Sequence, residues 1–347
     1  MQARAYGALE SKAPITPMTI ERREVGPRDV LIDIAACGVC HSDIHQAESD
    51  WGMDIFPMVP GHEIVGTVRE LGAEVTTFAV GDRVGVGCYV ASCGECDMCD
   101  RGHHNHCPDW STTYNGYEQD RATPTYGGYS DHIVVDADYV LRIPEGPDTF
   151  AVAPLLCAGI TVYPPLKEFA GPGKDVAVVG LGGLGHVGVR IAKAMGSRVT
   201  VISHSPSKEA DALRLGADAF VATSNPKALK PLRDSFDLVL CTASSGVDVD
   251  GYLKSLKTHG TLAIVGIPVE DLSFNVGNLI GGARSIKGYM LDGIEGTQEM
   301  LDFCAAHGIV ADVEVIPASQ INEAWQRVKD SDVRYRFVID TSSLGAS

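Results

Sequence analysis

Short apolar runs set the pattern of the first half of the chain. Val30-Leu31-Ile32-Asp33-Ile34, Ile64-Val65-Gly66-Thr67-Val68 and His132-Ile133-Val134-Val135 are rich in β-branched residues. Gly26-Pro27, Gly81-Asp82 and Gly127-Gly128 punctuate the stretches around them, as turns between strands do. Many short strands with glycine corners predict a partly closed antiparallel barrel. After about residue 155 the pattern changes. A buried-type strand over Asp175 to Val179 leads to a helical stretch from Gly183 to Met195. A strand at Val199 to Ile202 and a helix from Ser207 to Leu215 follow. Ala219 to Val221, Phe236 to Leu240 and Thr261 to Val265 continue the alternation, which predicts a parallel sheet with helices on both faces. The tail mixes helices (Thr297 to Ala306, Ser319 to Val328) with strands (Val313 to Ile316, Tyr335 to Ile339). The periodicity does not say which half of the chain the tail joins.

The chain has 347 residues, more than one core usually holds, so two domains are expected. With 45% hydrophobic and 21% charged residues and a mean hydropathy of +0.04, the composition is that of a folded globular chain. Lys and Arg number 28 against 45 Asp and Glu, a net charge of −17, which repels phosphate backbones and argues against nucleic-acid binding. No apolar run reaches membrane-spanning length, so no membrane segment is expected. MQARAYGALESK lacks the apolar stretch of a signal peptide, which points to the reducing cytoplasm. Ten cysteines in such a compartment suggest metal ligands or reactive thiols before disulfides.

Cys93, Cys96, Cys99 and Cys107 form C-x2-C-x2-C-x7-C. Four thiolates close a tetrahedron with no open position, the pattern of a structural zinc site. An iron–sulfur cluster is the other metal reading, since Pro108 follows Cys107, although the last spacer differs from the ferredoxin run. His103, His104 and His106 lie inside the loop and are expected to be solvated. A second constellation is scattered: Cys40-His41-Ser42-Asp43-Ile44-His45, then Gly61-His62-Glu63, then Cys157. Each piece is weak alone. Together Cys40, His62 and Cys157 supply two thiolates and an imidazole, the donor set with an open fourth position that alcohol dehydrogenases use for catalytic zinc.

Gly180-Leu181-Gly182-Gly183-Leu184-Gly185 follows a predicted strand and opens a helix, the context that makes G-x-G-x-x-G a dinucleotide fingerprint. Gly180 serves the tight turn, Gly182 the approach of a pyrophosphate, and Gly185 the packing of helix on strand, with the helix N-terminus facing the phosphate charge. The next strand ends at Ser203-His204-Ser205, with Lys208 beyond. No carboxylate stands there to hold a ribose diol. Hydroxyls and a lysine accept a 2′-phosphate instead, which predicts NADP(H) over NAD(H). The competing reading is that Ser203 and Ser205 only cap the next helix.

Taken together, GHE at 61–63, the cysteine lobe at 93–107, Cys157, GLGGLG at 180–185 and QEMLDFCAAHGI at 298–309 resemble the zinc-dependent medium-chain dehydrogenase/reductase family. The branch they are most similar to holds cinnamyl alcohol dehydrogenases and bacterial zinc aldehyde reductases. The resemblance implies two domains: a GroES-like β-barrel catalytic domain over 1–154 and 290–347, with a zinc lobe at about 88–108, and an α/β Rossmann domain, a doubly wound parallel sheet, over 155–289. It implies that Cys40, His62 and Cys157 hold catalytic zinc, with Glu63 beside it, and that Asp43 orients the ligand histidine. Ser42 and His45 match a proton relay, His41 a neighbour of the pyrophosphate, and Thr161 a contact of the nicotinamide. Gly183, Leu184 and His204 join the cofactor set, although His204 departs from the commoner serine. Trp51, Met53, Phe56, Cys88, Trp110, Met290 and Leu291 match the substrate pocket. The implied activity is reduction of aromatic and medium-chain aldehydes, or oxidation of their alcohols, with two zinc ions and NADP(H). A polyol dehydrogenase and a non-enzymatic zinc or NADPH-binding protein are the alternatives. A homodimer through the segment from Ser285 to Tyr289 is implied by the family alone. Cys37, Cys88, Cys241 and Cys304 carry no expected metal role.

Overall fold

The structure is a computed structural model that describes residues 1–52, 55–225, 227–268 and 270–345. It divides into two compact units, Met1–Cys157 with Asp292–Ser347, and Ala158–Leu291.

In the first unit a sheet runs in the order Val313–Pro317, Arg336–Asp340, Asp29–Gly38, Ile64–Leu71, Arg83–Val86, Leu141–Arg142, and His132–Asp136 also pairs with Asp29–Gly38. The ten-residue strand Asp29–Gly38 organises it. That strand meets Ile64–Leu71 along one edge, while the other edge is shared by His132–Asp136 early on and Arg336–Asp340 at the end. All these pairings are antiparallel except Val313–Pro317 with Arg336–Asp340. Periodicity left the tail unplaced, and the family resemblance assigned it to the first domain. The pairing of Val338 with Gly38 and of Asp340 with Ala36 brings it into this sheet. Burial alternates with the pleat only from Ile32 to Ala36, where Asp33 and Ala35 face solvent; Val30 and Leu31 before it and Cys37 after it are buried whichever face they point to.

The second unit has a six-stranded parallel sheet in the order Ala219–Ala222, Arg198–Ser203, Asp175–Val179, Phe236–Cys241, Leu256–Ile264, Ser285–Gly288. The order reverses direction beside Asp175–Val179, where a doubly wound sheet opens a crevice at the carboxyl ends of its strands. Ala177, Val179, Val239, Cys241, Leu253, Leu256 and Leu262 share one core on the sheet. Helix Ala158–Phe169 was not predicted, because Pro164 and Pro165 interrupt its pattern. The two prolines cost two backbone hydrogen bonds. Buried Ile160, Val162, Tyr163 and Leu166 hold the helix through packing.

The unit boundaries correct the expected ones by a few residues. Leu155, Leu156 and Cys157 belong to the first unit, where the 3-10 turn Ala153–Leu156 packs on the strands Asp29–Gly38, Ile64–Leu71 and Arg83–Val86. Met290 and Leu291 fall in the second unit. Among the described residues no single helix is long and apolar enough to cross a membrane.

Candidate functional site

Strand Asp29–Gly38 delivers Cys40 to the start of helix His41–Ala47, where Cys40 is the N-cap. Asp43 lies one turn in and is fully buried. Its carboxylate accepts from the backbone N–H of Cys40 (2.8 Å) and of Gly61 (3.1 Å) and from the hydroxyl of Tyr129 (3.2 Å). His62 Nδ1 is 3.4 Å from the same carboxylate. This contact turns Nε2 away, and Nε2 is buried with no hydrogen-bond partner. A buried polar atom without a partner costs stability unless something else binds it. His62 also stacks on Tyr114, with centroids 5.8 Å apart and ring planes 5° from parallel.

Cys157 ends the 3-10 turn Ala153–Leu156 and brings its sulfur to 3.9 Å from that of Cys40. One ligand atom from each of Cys40, His62, Glu63 and Cys157 falls within 4.8 Å of the others, and all four residues are buried. Zinc–sulfur bonds of about 2.3 Å in a tetrahedron put two sulfurs about 3.8 Å apart, so the donors present fit zinc. Both oxygens of Glu63 are also buried without a hydrogen bond. Arg336 is the nearest compensating charge, with Nη2 3.6 Å from Glu63 Oε1. Burial pushes the Glu63 carboxyl up to about 8, against the pull of Arg336. Gly38 makes this arrangement possible: a Cβ there would overlap Glu63 Oε2.

Ser42 Oγ accepts from the Cys40 thiol at 3.7 Å. One turn on, His45 Nδ1 meets Asp50 Oδ2 at 2.7 Å, and the ring stacks on Trp51 at 5.3 Å and lies 5.8 Å from His41. Thus Trp51, expected in the substrate pocket, contacts the expected relay histidine. Phe56 and Trp110 are half-buried, and Trp110 packs against Tyr89 at 5.8 Å. Cys88 is half-buried and directs its thiol toward the Leu156 carbonyl at 3.9 Å. Met290 is exposed and Leu291 half-buried, both in the second unit, and Met53 lies outside the described residues.

The other cysteine cluster is a loop around helix Asp97–Asp100. Its sulfurs lie 3.5 Å (Cys93–Cys107), 3.9 Å (Cys93–Cys99) and 3.6 Å (Cys96–Cys99) apart, again near the edge of a zinc–thiolate tetrahedron. The Asp109 N–H donates to Cys107 Sγ at 3.3 Å, and Ser92 Oγ lies 3.1 Å from Cys99 Sγ. His103 and His106 are exposed as expected for a solvated loop. His104 is not: its ring packs edge-on against Tyr139 at 5.9 Å, and its Nδ1 is buried. Cys37, Cys241 and Cys304 are buried thiols, and burial pushes Cys241 up to about 11 and Cys304 to about 12.

In the second unit, Gly180 takes a positive φ of 89°, and a Cβ on Gly185 would overlap the Gly180 carbonyl, which forces glycine at both ends of the loop. Around Gly182 a Cβ would meet nothing, so the middle of the loop is open for a ligand to approach its backbone. Gly183 and Leu184 complete the turn into helix Gly185–Ala194. Lys208 Nζ donates to the Leu181 carbonyl at 2.9 Å, which anchors the lysine beside the loop. Ser203 is buried at the strand end and His204 is exposed. Ser205 makes no capping bond from its side chain; its hydroxyl lies 2.9 Å from that of Ser207. Thr161 is buried in helix Ala158–Phe169, and His41 is exposed at the start of its own helix.

Sequence reasoning missed Arg336, Asp50, Tyr114, Tyr129 and Gly38. Asp50 had a usable signal, a carboxylate five positions after a helical histidine. Arg336 had none, because only the sheet pairing of the tail brings it to Glu63.

Residues 26–145 match the family description "Alcohol dehydrogenase GroES-like domain", and residues 183–306 match "Zinc-binding dehydrogenase". The chain is 54% identical over 343 residues to "NADP-dependent alcohol dehydrogenase C 1" of Mycolicibacterium smegmatis, which covers 98% of each chain. Among solved structures, a cinnamyl alcohol dehydrogenase from Sorghum bicolor is similar at a TM-score of 0.97 and 42% identity, covering 100% of this chain and 99% of the other. A CAD from Helicobacter pylori complexed with NADP(H) is similar at 0.92 and 38%, covering 99% of both chains. With matches of this extent over both units, the chain belongs to the zinc-dependent medium-chain dehydrogenase/reductase family, in its cinnamyl alcohol dehydrogenase-like branch.

Proposed function

We propose that the protein is a zinc- and NADP(H)-dependent alcohol dehydrogenase that works mainly as a reductase of aromatic and medium-chain aldehydes. The observation that carries this reading is the buried set of Cys40, His62, Glu63 and Cys157, whose imidazole Nε2 has no partner in the protein. A set of two thiolates and one imidazole, with the carboxylate of Glu63 beside them, differs from the closed set of four thiolates of Cys93, Cys96, Cys99 and Cys107, which we assign to a structural zinc; the first suits a catalytic metal that keeps a position for substrate. When bound, zinc supplies a Lewis acid for the substrate oxygen, and NADP(H) supplies or accepts the hydride.

The chain's own residues do the rest. Asp43 holds His62 in the tautomer that leaves Nε2 free and strengthens it as a donor. Glu63 stands behind the set with Arg336 as its counter-charge. Ser42 Oγ passes a proton to or from the substrate oxygen. His45 exchanges that proton with solvent, with Asp50 holding its Nδ1 and Trp51 its ring face. Trp51, Phe56, Cys88 and Trp110 give apolar walls suited to aryl and medium-chain aldehydes. Met53, Met290 and Leu291 enter this list on the resemblance alone.

The loop of Gly180, Gly182, Gly183, Leu184 and Gly185 takes the pyrophosphate, with Thr161 of the same unit assigned to the same cofactor; His41 enters the cofactor set on the resemblance alone. Ser203, His204, Ser205 and Lys208 take the 2′-phosphate, and the absence of a carboxylate at this strand end disfavours the polyol-dehydrogenase reading. Six cysteines placed as metal ligands and four others, Cys37, Cys88, Cys241 and Cys304, as free thiols suit a reducing cytoplasm. The edge strand Ser285–Gly288, with exposed Val276 and Ile280 nearby in the chain, suits pairing with a second copy. A direct test is Cys40→Ala. The variant is expected to fold, to carry one zinc instead of two, and to lose cinnamaldehyde reduction by NADPH. Full activity in a one-zinc variant would overturn the reading.

A further inference from the structure

Behind His62 a run of buried hydrogen bonds reaches the tail of the chain. Asp43 uses each carboxylate oxygen twice. Oδ1 accepts from the Gly61 N–H at 3.1 Å and faces His62 Nδ1 at 3.4 Å. Oδ2 accepts from the Cys40 N–H at 2.8 Å and from the Tyr129 hydroxyl at 3.2 Å. Trp325 Nε1 donates in turn to the Tyr129 hydroxyl at 3.3 Å. Trp325 sits on helix Ile321–Lys329, almost two hundred positions further along the chain.

The donor chemistry fixes the direction of the run. An indole N–H only donates and a carboxylate only accepts. The Tyr129 hydroxyl therefore gives its one proton to Asp43 and takes the indole N–H on a lone pair. Both aromatic side chains are buried, where such bonds are stronger than in water and polarise one another. Both are also held from outside the run. The Tyr129 N–H donates to the Pro60 carbonyl at 3.0 Å, so the phenol and the ligand histidine hang on one stretch of backbone. A Cβ on Gly61 would come within 2.7 Å of the Tyr129 ring, which shows how closely that stretch packs on the phenol. At the other end, Asn322 exchanges hydrogen bonds of 2.9 and 2.8 Å with the backbone of Ile15, and Lys329 pairs with Glu48 at the end of helix His41–Ala47.

We propose that Tyr129 and Trp325 are positioning residues for the metal: the indole orders the phenol, the phenol fixes the plane of the Asp43 carboxylate, and that carboxylate aims His62 Nε2 at the Cys40, Glu63 and Cys157 donors. This rests on the assignment of those four residues as a metal site. His62 Nε2, buried and without a protein partner, is the atom that the run orients. The tail of the chain thereby sets how tightly the metal is held, although none of its residues is a ligand. Outer partners of a ligand histidine change metal affinity by about 10–100-fold.

The test uses the full chain with cobalt(II) in both cysteine-containing sets, titrated with EDTA and followed by the visible bands of the metal. A four-thiolate set and a set with two thiolates and an imidazole give different bands, so each is read separately in one sample. Tyr129→Phe is expected to release the metal of the His62 set at about tenfold lower EDTA, and to leave the four-thiolate bands as in the parent. Trp325→Phe is expected to weaken the same set by a smaller factor. The double variant is expected to be no weaker than Tyr129→Phe, because the indole acts through the phenol. A merely structural role would lower stability in urea and leave the EDTA profile of the His62 set unchanged, and that result would overturn the proposal while the metal site stands. Additive losses in the double variant would overturn the run through Tyr129. Trp325→Phe carries the comparison alone if Tyr129→Phe does not fold. A parent chain that takes up only the four-thiolate cobalt would overturn the metal site itself.

Discussion

Arg336 Nη2 stands 3.6 Å from Glu63 Oε1, and both side chains are buried. The pair joins the tail of the chain to the metal set, because Arg336 begins a strand that pairs beside Asp29–Gly38. Where Glu63 is ionised, breaking the buried pair from one side leaves its charge uncompensated, at about 3–5 kcal/mol, and because burial pushes its carboxyl up to about 8 the full cost applies above that pH. Arg336→Met is therefore expected to lower unfolding stability by that order in urea titrations above that pH. The double variant Arg336→Met with Glu63→Gln should recover part of the loss. A double variant no more stable than Arg336→Met alone would contradict the pairing.

His45 and Asp50 give a prediction about rate. Asp50 fixes His45 Nδ1 at 2.7 Å, so the other ring nitrogen is set for proton exchange. Asp50→Asn is expected to lower kcat about tenfold with KM little changed, and to raise the solvent isotope effect, because general acid–base contributions reach about 10²-fold or more. An unchanged isotope effect would take His45 out of the proton path.

Much of this was legible in the chain. The cysteine cluster at 93–107 declared itself by spacing, since ligands on one loop must be close in sequence to meet at one ion. The glycine loop declared itself by context, a strand before it and a helix after. The scattered set was legible only by resemblance. Cys40, His62 and Cys157 come from a helix N-cap, a loop and a 3-10 turn, and only the three-dimensional sheet brings them together. Helix Ala158–Phe169 was hidden because its prolines oppose local propensity while burial favours it. His104 was misread because spacing shows that a histidine lies in a loop but not that Tyr139 packs on it.

The closed cysteine set predicts a stability effect separate from catalysis. Cys99 is buried and shares short sulfur contacts with Cys93 and Cys96. Cys99→Ser is expected to lose one zinc, to become sensitive to protease within residues 93–107, and to keep the metal of the other set. Unaltered protease resistance would deny the cluster its structural role.

In the second unit, Lys257 Nζ lies 2.7 Å from both Asp175 and Asp237. Burial raises the Asp237 carboxyl, but hydrogen bonds from the Asp175 N–H and from Lys257 outweigh it and hold the group below the usual carboxylate range. Such a group stabilises the fold above its unfolded pKa of about 3.9, and the contribution fades as pH falls through the lower folded value. Lys257 is shifted upward by Asp175 and then Asp237, so its share persists until pH rises past its folded value. Lys257→Met is expected to cost about 1 kcal/mol at pH 7, and the difference from the parent should shrink as the pH drops through and below about 4. A difference that is constant with pH would remove the ion pair from the account.

The most direct test of the central claim is loss of nicotinamide absorbance with cinnamaldehyde, run in parallel with NADPH and NADH on protein carrying two zinc ions. The expected result is rapid loss with NADPH and little with NADH. Faster loss with NADH would contradict the assignment of Ser203, His204, Ser205 and Lys208 to a 2′-phosphate. No loss with either would contradict the aldehyde reductase itself.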